Sequence, residues 1–143
     1  MNTKVLLAAL AAGVASFFLG WLIYGMLLDP YFQANTTVEA KGIMKNMENM
    51  NMIAMVIANL AVGTLVAWSL SRMGVTNAMG GLFPGAVIGC LIAINFDMFM
   101  YAMTNWYSSK MVVIVDVLVS TIFYAFIGAI AGWMLGMGRK ATV

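Results

Sequence analysis

The sequence predicts an all-α membrane protein: a bundle of four transmembrane helices, both termini cytoplasmic, with an outer amphipathic helical extension leading into the second span. Three observations predict it. Of 143 residues, 64% are hydrophobic and only 8% charged, whereas soluble domains carry about 25% charged residues. Four apolar stretches, residues 5–28, 52–70, 82–103 and 111–136, each come close to the roughly 20 residues that cross about 30 Å of hydrocarbon. What lies between them is too short for a soluble domain, so residues 1–143 read as a single four-helix transmembrane domain.

The first stretch opens as "MNTKVLLAALAAGVAS", with one lysine and small residues near position 15, in the manner of a signal peptide. Its apolar run continues to Leu28, beyond the about 7 to 15 residues of a signal core, and so reads as a retained first span. The connection after it, "DPYFQANTTVEAKGIMKNMENMNM", is the only long one. Thr36 with Glu39 three residues later forms a capping-box pattern that predicts a helix start near Thr37. Ile43, Met44, Met47 and Met50 then recur on one helical face. If that helix ran unbroken to Ser71 it would be roughly 50 Å long at about 1.5 Å per residue, unless Gly42 bends it.

Charge sets the expected topology. Lys4, the amino terminus, Arg72, Arg139 and Lys140 fall on one side, and Lys41, Lys45 and Lys110 on the other with Asp29, Glu39 and Glu48. The slight excess puts both termini in the cytoplasm. Tyr31, Phe32, Trp106 and Tyr107 would mark the outer interface, and Trp68 and Trp133 the inner one.

The third and fourth spans carry small residues every four positions: Gly81, Gly85, Gly89 and Ala93 in one, Gly128, Gly132 and Gly136 in the other. Such rows let helix backbones approach closely in lipid, where the hydrophobic effect gives helices no reason to associate. Antiparallel packing predicts Gly85 beside Gly132 and Gly89 beside Gly128. Pro84, in the first turns of its span, costs little there.

Asp97 and Asp116 are the chemically odd residues. Four-residue steps drift by about 40° on a helix, so Asp97 is expected about 80° from Gly89 and Asp116 about 120° from Gly128, off the glycine seam. Depth nevertheless predicts a polar layer roughly 10 Å below the outer boundary, counting about 1.5 Å per residue, with Asp97, Asp116, Asn59 and Tyr24 in it, Asn95 if its face allows, and Tyr101 added by extending the third-span row outward. An aspartate at a helix centre costs about 2.5 to 3.5 kcal/mol, and no span carries a Lys or Arg to offset it. Three outcomes satisfy that cost: protonated carboxyls bonded to Asn, Tyr or Ser; pairing with Lys110 reaching back; or a proton or cation pathway.

Other chemistry is thin. Histidine is absent, which removes the commonest zinc ligand and the usual general base. Lone Cys90 lies mid-span as a small apolar residue, and a net charge of +2 without an Arg/Lys cluster argues against nucleic acid. Fifteen methionines raise copper(I), for which Met50, Met52, Met98, Met100 and Met103 are the candidates. The same spacing fits a helix-packing face.

"LGWLIYGMLL" followed by "PYF", "ANLAVGTLVAW", "NFDMFMYAM" and "DVLVSTIFYAFIGAIAGWMLG" together resemble a group of small four-span bacterial membrane proteins of the Bacteroidetes type. The resemblance covers nearly the whole chain, implies the bacterial inner (plasma) membrane, and brings no activity and no functional residue with it. The expected function is therefore a non-enzymatic membrane protein without cofactor, acting through helix-helix association as an accessory or scaffold subunit or a homo-oligomer. Its partners would be the lipid bilayer and other membrane proteins or itself. The alternatives are a proton-coupled or cation-translocating protein using Asp97 and Asp116, and copper(I) handling.

Overall fold

The computed structural model describes residues 2–45 and 47–137. Six α-helices are present there: α1 (Thr3–Leu22), α2 (Asp29–Asn35), α3 (Val38–Ile43), α4 (Met52–Arg72), α5 (Ala78–Met103) and α6 (Lys110–Gly136). Counting the turn that prolongs α1, four helices are long and apolar enough to cross a membrane: Thr3–Leu27, Met52–Arg72, Ala78–Met103 and Lys110–Gly136. The amino terminus and the basic residues Arg139 and Lys140, used above to orient the chain, lie outside the described residues.

Polar side chains start the helices. The orphan amides of a first turn need acceptors, and Asn2, Thr37, Asn51, Asn77 and Ser109 accept from the amides of Lys4, Ala40, Ala54, Gly80 and Met111. The cap of α3 is thus Thr37 rather than Thr36, although the helix begins where the capping pattern placed it. The first span ends differently from a plain helix. Residues Ile23–Leu27 form a π-helical turn closed by the Leu28 amide on the Ile23 carbonyl at 2.8 Å.

The long helical extension is not formed. After α3 the backbone turns extended at Met44 (ψ 140°), a single 3-10 turn covers Met47–Asn49, and α4 starts afresh at Met52 behind its Asn51 cap. The break falls at Met44 and not at Gly42, which lies inside α3. The asparagine at 51 offers the backbone a cap, which outcompetes continuation of the amphipathic pattern through the polar stretch.

The four long helices associate as two close pairs, α5 with α6 and α1 with α4, joined mainly by α6 against α1 and more lightly by α6 against α4. The apolar core lies where α1, α4 and α6 meet: Ala8, Ala12, Val66, Ala67, Leu70, Ile127 and Ala131 are all buried. Small residues set the α1/α4 contact as well. A Cβ on Gly63 would collide with the backbone of Ala9 and Gly13. This second crossing was readable as Ala9 and Gly13 in one span and Gly63 and Ala67 in another, four residues apart in each, but the expectation centred on the other pair.

Between α5 and α6 the register differs from the expected one by a single four-residue step. Gly81 and Gly85 both lie against Gly128, Gly132 lies against Gly81 and Asn77, and Gly136 lies against Thr76. Gly85 does not meet Gly132, nor Gly89 Gly128. The reason is Tyr124, which shares the Gly128 row: its ring base occupies the space that a Cβ on Gly89 would take. The bulky residue needs the third glycine, so the rows slide until it has one.

The seam also runs further than expected. Gly81, Gly85, Gly89, Ala93 and Asp97 are all buried, one every four residues. The drift that removed Asp97 from the seam holds for straight helices. A four-residue repeat exceeds the 3.6 residues of a turn, so helices that stay in contact along it wind round each other in a right-handed sense and the contact stripe drifts with the row. Continuing the observed register outward sets Ser120 opposite Ala93 and Asp116 opposite Asp97.

Gly128→Ala should therefore lower stability by about 1–3 kcal/mol through overpacking, because its Cβ would reach 2.8 Å from the Gly85 Cα and closer still to the Gly81 carbonyl. Gly42→Ala, where nothing lies within 4 Å, should cost nothing. Unfolding of the detergent-solubilised chain by SDS, followed by helical circular dichroism, measures both.

Candidate functional site

The site lies at the end of the molecule that carries the 104–109 connection. Asp97 comes from the last two turns of α5, Asp116 from the second turn of α6 and Ser120 from the turn below it. Tyr24 comes from the π-helical turn that follows α1. An i→i+5 turn takes an extra residue into the helix and re-aims the side chains it contains, which is why such turns recur at functional sites. Here it directs the Tyr24 hydroxyl to Ser120 Oγ at 2.8 Å, with the Tyr24 ring between Phe32 and Phe123 at 5.6 and 6.4 Å.

Asp116 is the hinge of the group. Its carboxyl lies beside that of Asp97, which the register of α5 and α6 sets opposite it, and close to the Tyr24 hydroxyl. Asp97 is 0% exposed. Its Oδ1 accepts a 2.6 Å hydrogen bond from the Tyr107 hydroxyl, while its Oδ2 is buried with no hydrogen-bond partner. Burial first, and the Asp97 carboxyl second, hold the Tyr107 phenol above its ordinary range, so it remains a protonated donor.

Tyr107 is held in place by backbone pairing between the two connections at this end. It forms an isolated antiparallel bridge with Thr36. The Thr37 amide donates to the Trp106 carbonyl at 3.1 Å, and the Ser108 amide to the Asn35 carbonyl at 3.0 Å. Side chains add two bonds: Ser108 Oγ donates to the Asn35 carbonyl at 2.8 Å and Thr37 Oγ1 to the Asn105 carbonyl. The two connections thus form one cap, and Tyr107 is the side chain that reaches down from it.

Of the six residues expected in the polar layer, Asp97, Asp116 and Tyr24 come together and three do not. Asn59 donates to the Met55 carbonyl at 2.8 Å and accepts from Ser16 Oγ at 2.7 Å, so it belongs to the α1/α4 contact. Asn95 is exposed on α5, since two residues turn it about 200° from Asp97. Tyr101 is 41% exposed and lines a shallow groove with Met98, Lys110, Val113 and Ile114. Depth and the outward row brought these residues into one reading, but neither sets the direction in which a side chain points.

The site residues that were missed are Tyr107 and Ser120. Tyr107 reads as an interface aromatic because its environment is polar and its neighbour is Trp106. The overlooked signal is the brevity of the connection between two aspartate-bearing helices, which keeps any residue in it directly above the pair. Lys110 makes no ion pair among the described residues. Met98 and Met100 line separate grooves, the second with Glu39, Ala40, Ile43 and Trp106, so the copper candidates are not gathered on one face of α5. Among the described residues no group of three or more His, Cys, Asp or Glu side chains has metal-binding proximity.

No protein family, curated protein or solved structure matches the chain. The likeness to small four-span bacterial proteins therefore rests on its residue pattern alone.

Tyr107→Phe removes the one donor to Asp97 and should cost about 1–3 kcal/mol, the penalty for orphaning a buried polar group. Tyr101→Phe should change stability little, as that hydroxyl makes no side-chain hydrogen bond in the structure. Thermal unfolding in detergent compares the two variants.

Proposed function

We propose that the chain is a small, non-enzymatic multi-pass protein of the bacterial inner membrane in which the Asp97–Asp116 pair binds a proton or a small cation from the outer side and couples its movement to the protein's work. Both termini lie in the cytoplasm in this reading, which follows the slight excess of basic groups on one side, the amino terminus, Lys4, Arg72, Arg139 and Lys140, over Lys41, Lys45 and Lys110 on the other. The carrying observation is the Asp97 Oδ2, fully buried, unpartnered and beside a second carboxyl. Ionisable groups inside a membrane are expensive to keep, and their usual roles are ion pathways and proton relays.

Helix-helix association was the leading expectation, and its main motivation is weakened by the intramolecular use of the glycine rows. Gly81, Gly85, Gly128 and Gly132 are consumed between α5 and α6 of one chain. One observation still favours association as a second reading. Apart from α6, α5 meets little else, and Asn95 stands exposed on it as an unshared amide. Amides in that position hydrogen-bond across helices for about 0.6 to 2 kcal/mol.

In proteoliposomes carrying a pH or cation gradient, the wild type should dissipate the gradient, and Asp97→Asn with Asp116→Asn should abolish the flux while leaving the helical spectrum intact. A wild type that is no leakier than empty liposomes would refute the ion-coupled reading. For the second reading, Asn95→Cys in a Cys90→Ser background should crosslink into dimers in native membranes, and an exclusively monomeric product would refute it.

A further inference from the structure

The ion-coupled reading leaves open what the carboxyl pair holds, and the geometry points to one proton shared between Asp97 and Asp116: we propose that the pair is a single-proton site, closed on the connection side by Tyr107. The inference rests on that reading and names its ligand.

The argument is an inventory of oxygens. Asp97 Oδ1 already accepts from Tyr107. The hydroxyls of Tyr24 and Ser120 are bonded to each other. The carbonyls of α5 and α6 around the pair are engaged in their own helices. What remains unspent is Asp97 Oδ2 and the carboxyl of Asp116. A hard cation of the calcium type takes about 6 to 8 oxygen ligands, and magnesium demands a near-octahedral set. Two carboxyl edges do not supply such a shell by themselves; the rest would have to be water, and Asp97 is 0% exposed. A proton needs one donor oxygen and one acceptor, which is what the unpartnered Oδ2 and its neighbour offer.

Charge leads to the same ligand. The groups facing the pair are the Tyr24 phenol from the turn after α1, the Ser120 hydroxyl from α6 and the Tyr107 phenol from the connection. No basic side chain among the described residues pairs with either carboxyl, and the polar group of α4, Asn59, is committed to Ser16. Two adjacent carboxylates without a cation repel. One proton between them removes half the charge and gives Oδ2 its missing hydrogen bond, and like-charged carboxyls sharing a site adopt this arrangement. The proton balance is simple: the pair takes up one proton to form the bridged state and releases the same proton to leave two carboxylates. Tyr107 is a positioning residue here. It keeps Asp97 in the acceptor role through Oδ1, so that Oδ2 is the oxygen left to share the proton with Asp116.

Infrared difference spectroscopy of the full chain in lipid nanodiscs, from acid to alkaline pH and with the spectrum of the Asp97→Asn/Asp116→Asn double variant subtracted so that Asp29, Glu39 and Glu48 cancel, tests this directly. A protonated-carboxyl carbonyl band should disappear on alkalinisation with a one-proton titration, shift in deuterium oxide, and be unaffected by sodium, potassium or magnesium at constant ionic strength. In Asp97→Asn and in Asp116→Asn alike its titration should move to lower pH, because either change leaves a lone carboxyl beside an amide donor and removes the like charge that favours the shared proton. Bands that titrate at the wild-type pH in each single variant would show two independent acids and overturn the shared proton. Loss of the wild-type band on adding one of these cations would overturn the proton while leaving an ion-coupled function intact. Absence of any titrating band, with no flux in proteoliposomes, would overturn both.

Discussion

The structure depends on the backbone contact between α5 and α6. At Gly81, Gly85 and Gly128 the two helices come so close that any Cβ would strike a neighbouring backbone. In hydrocarbon, helix pairs gain nothing from the hydrophobic effect, so dispersion between closely opposed backbones is the main source of attraction. That contact is also a ruler. Once Tyr124 has taken the space at Gly89, the helices have no freedom to slide, and every residue further along the row receives a fixed partner. The carboxyls of Asp97 and Asp116 meet because glycines some 18 Å away, at about 1.5 Å per residue, set the register.

Bringing two acids together in an apolar protein is costly, and the surrounding structure is organised to offset part of the cost. Hydroxyls are the fitting partners because they donate a hydrogen bond without adding a charge that would itself need burying. Tyr24 is turned toward the pair by a π-helical turn, and Tyr107 is held above it by backbone pairing between two connections remote in sequence. Both devices place a rigid aromatic hydroxyl at the site with little side-chain entropy to lose. One oxygen is nevertheless left without a partner. A buried group left incompletely satisfied is where ligand exchange has a physical basis, since a closed network would gain nothing by opening.

The other half of the molecule is plainer. Helices α1 and α4 cross through Ala9, Gly13 and Gly63, with the Ser16–Asn59 hydrogen bond as the polar group of that contact. Its asparagine finds both its partners locally. That contrast separates the two polar groups by role: Asn59 is satisfied where it stands, and Asp97 is not.

Much was legible in the residues alone. Composition and the length of four apolar runs settle an all-helical chain with four helices long enough to cross a membrane, because hydropathy and rise per residue are local quantities. The start of α3 was visible for the same reason, since a cap is a contact within four residues, whereas the fresh start of α4 behind Asn51 was not anticipated. Asp97 and Asp116 could be singled out by cost and matched by depth. Direction and register lay beyond such reasoning. Whether Asn95, Asn59 and Tyr101 join the aspartates depends on the rotation of each helix against its neighbours, and packing alone decides it. The slide by one glycine, the return of Asp97 to the seam and the descent of Tyr107 onto it follow from steric fit between residues far apart in the chain. Such fit is a property of the assembled pair of surfaces, and no single stretch of sequence contains it.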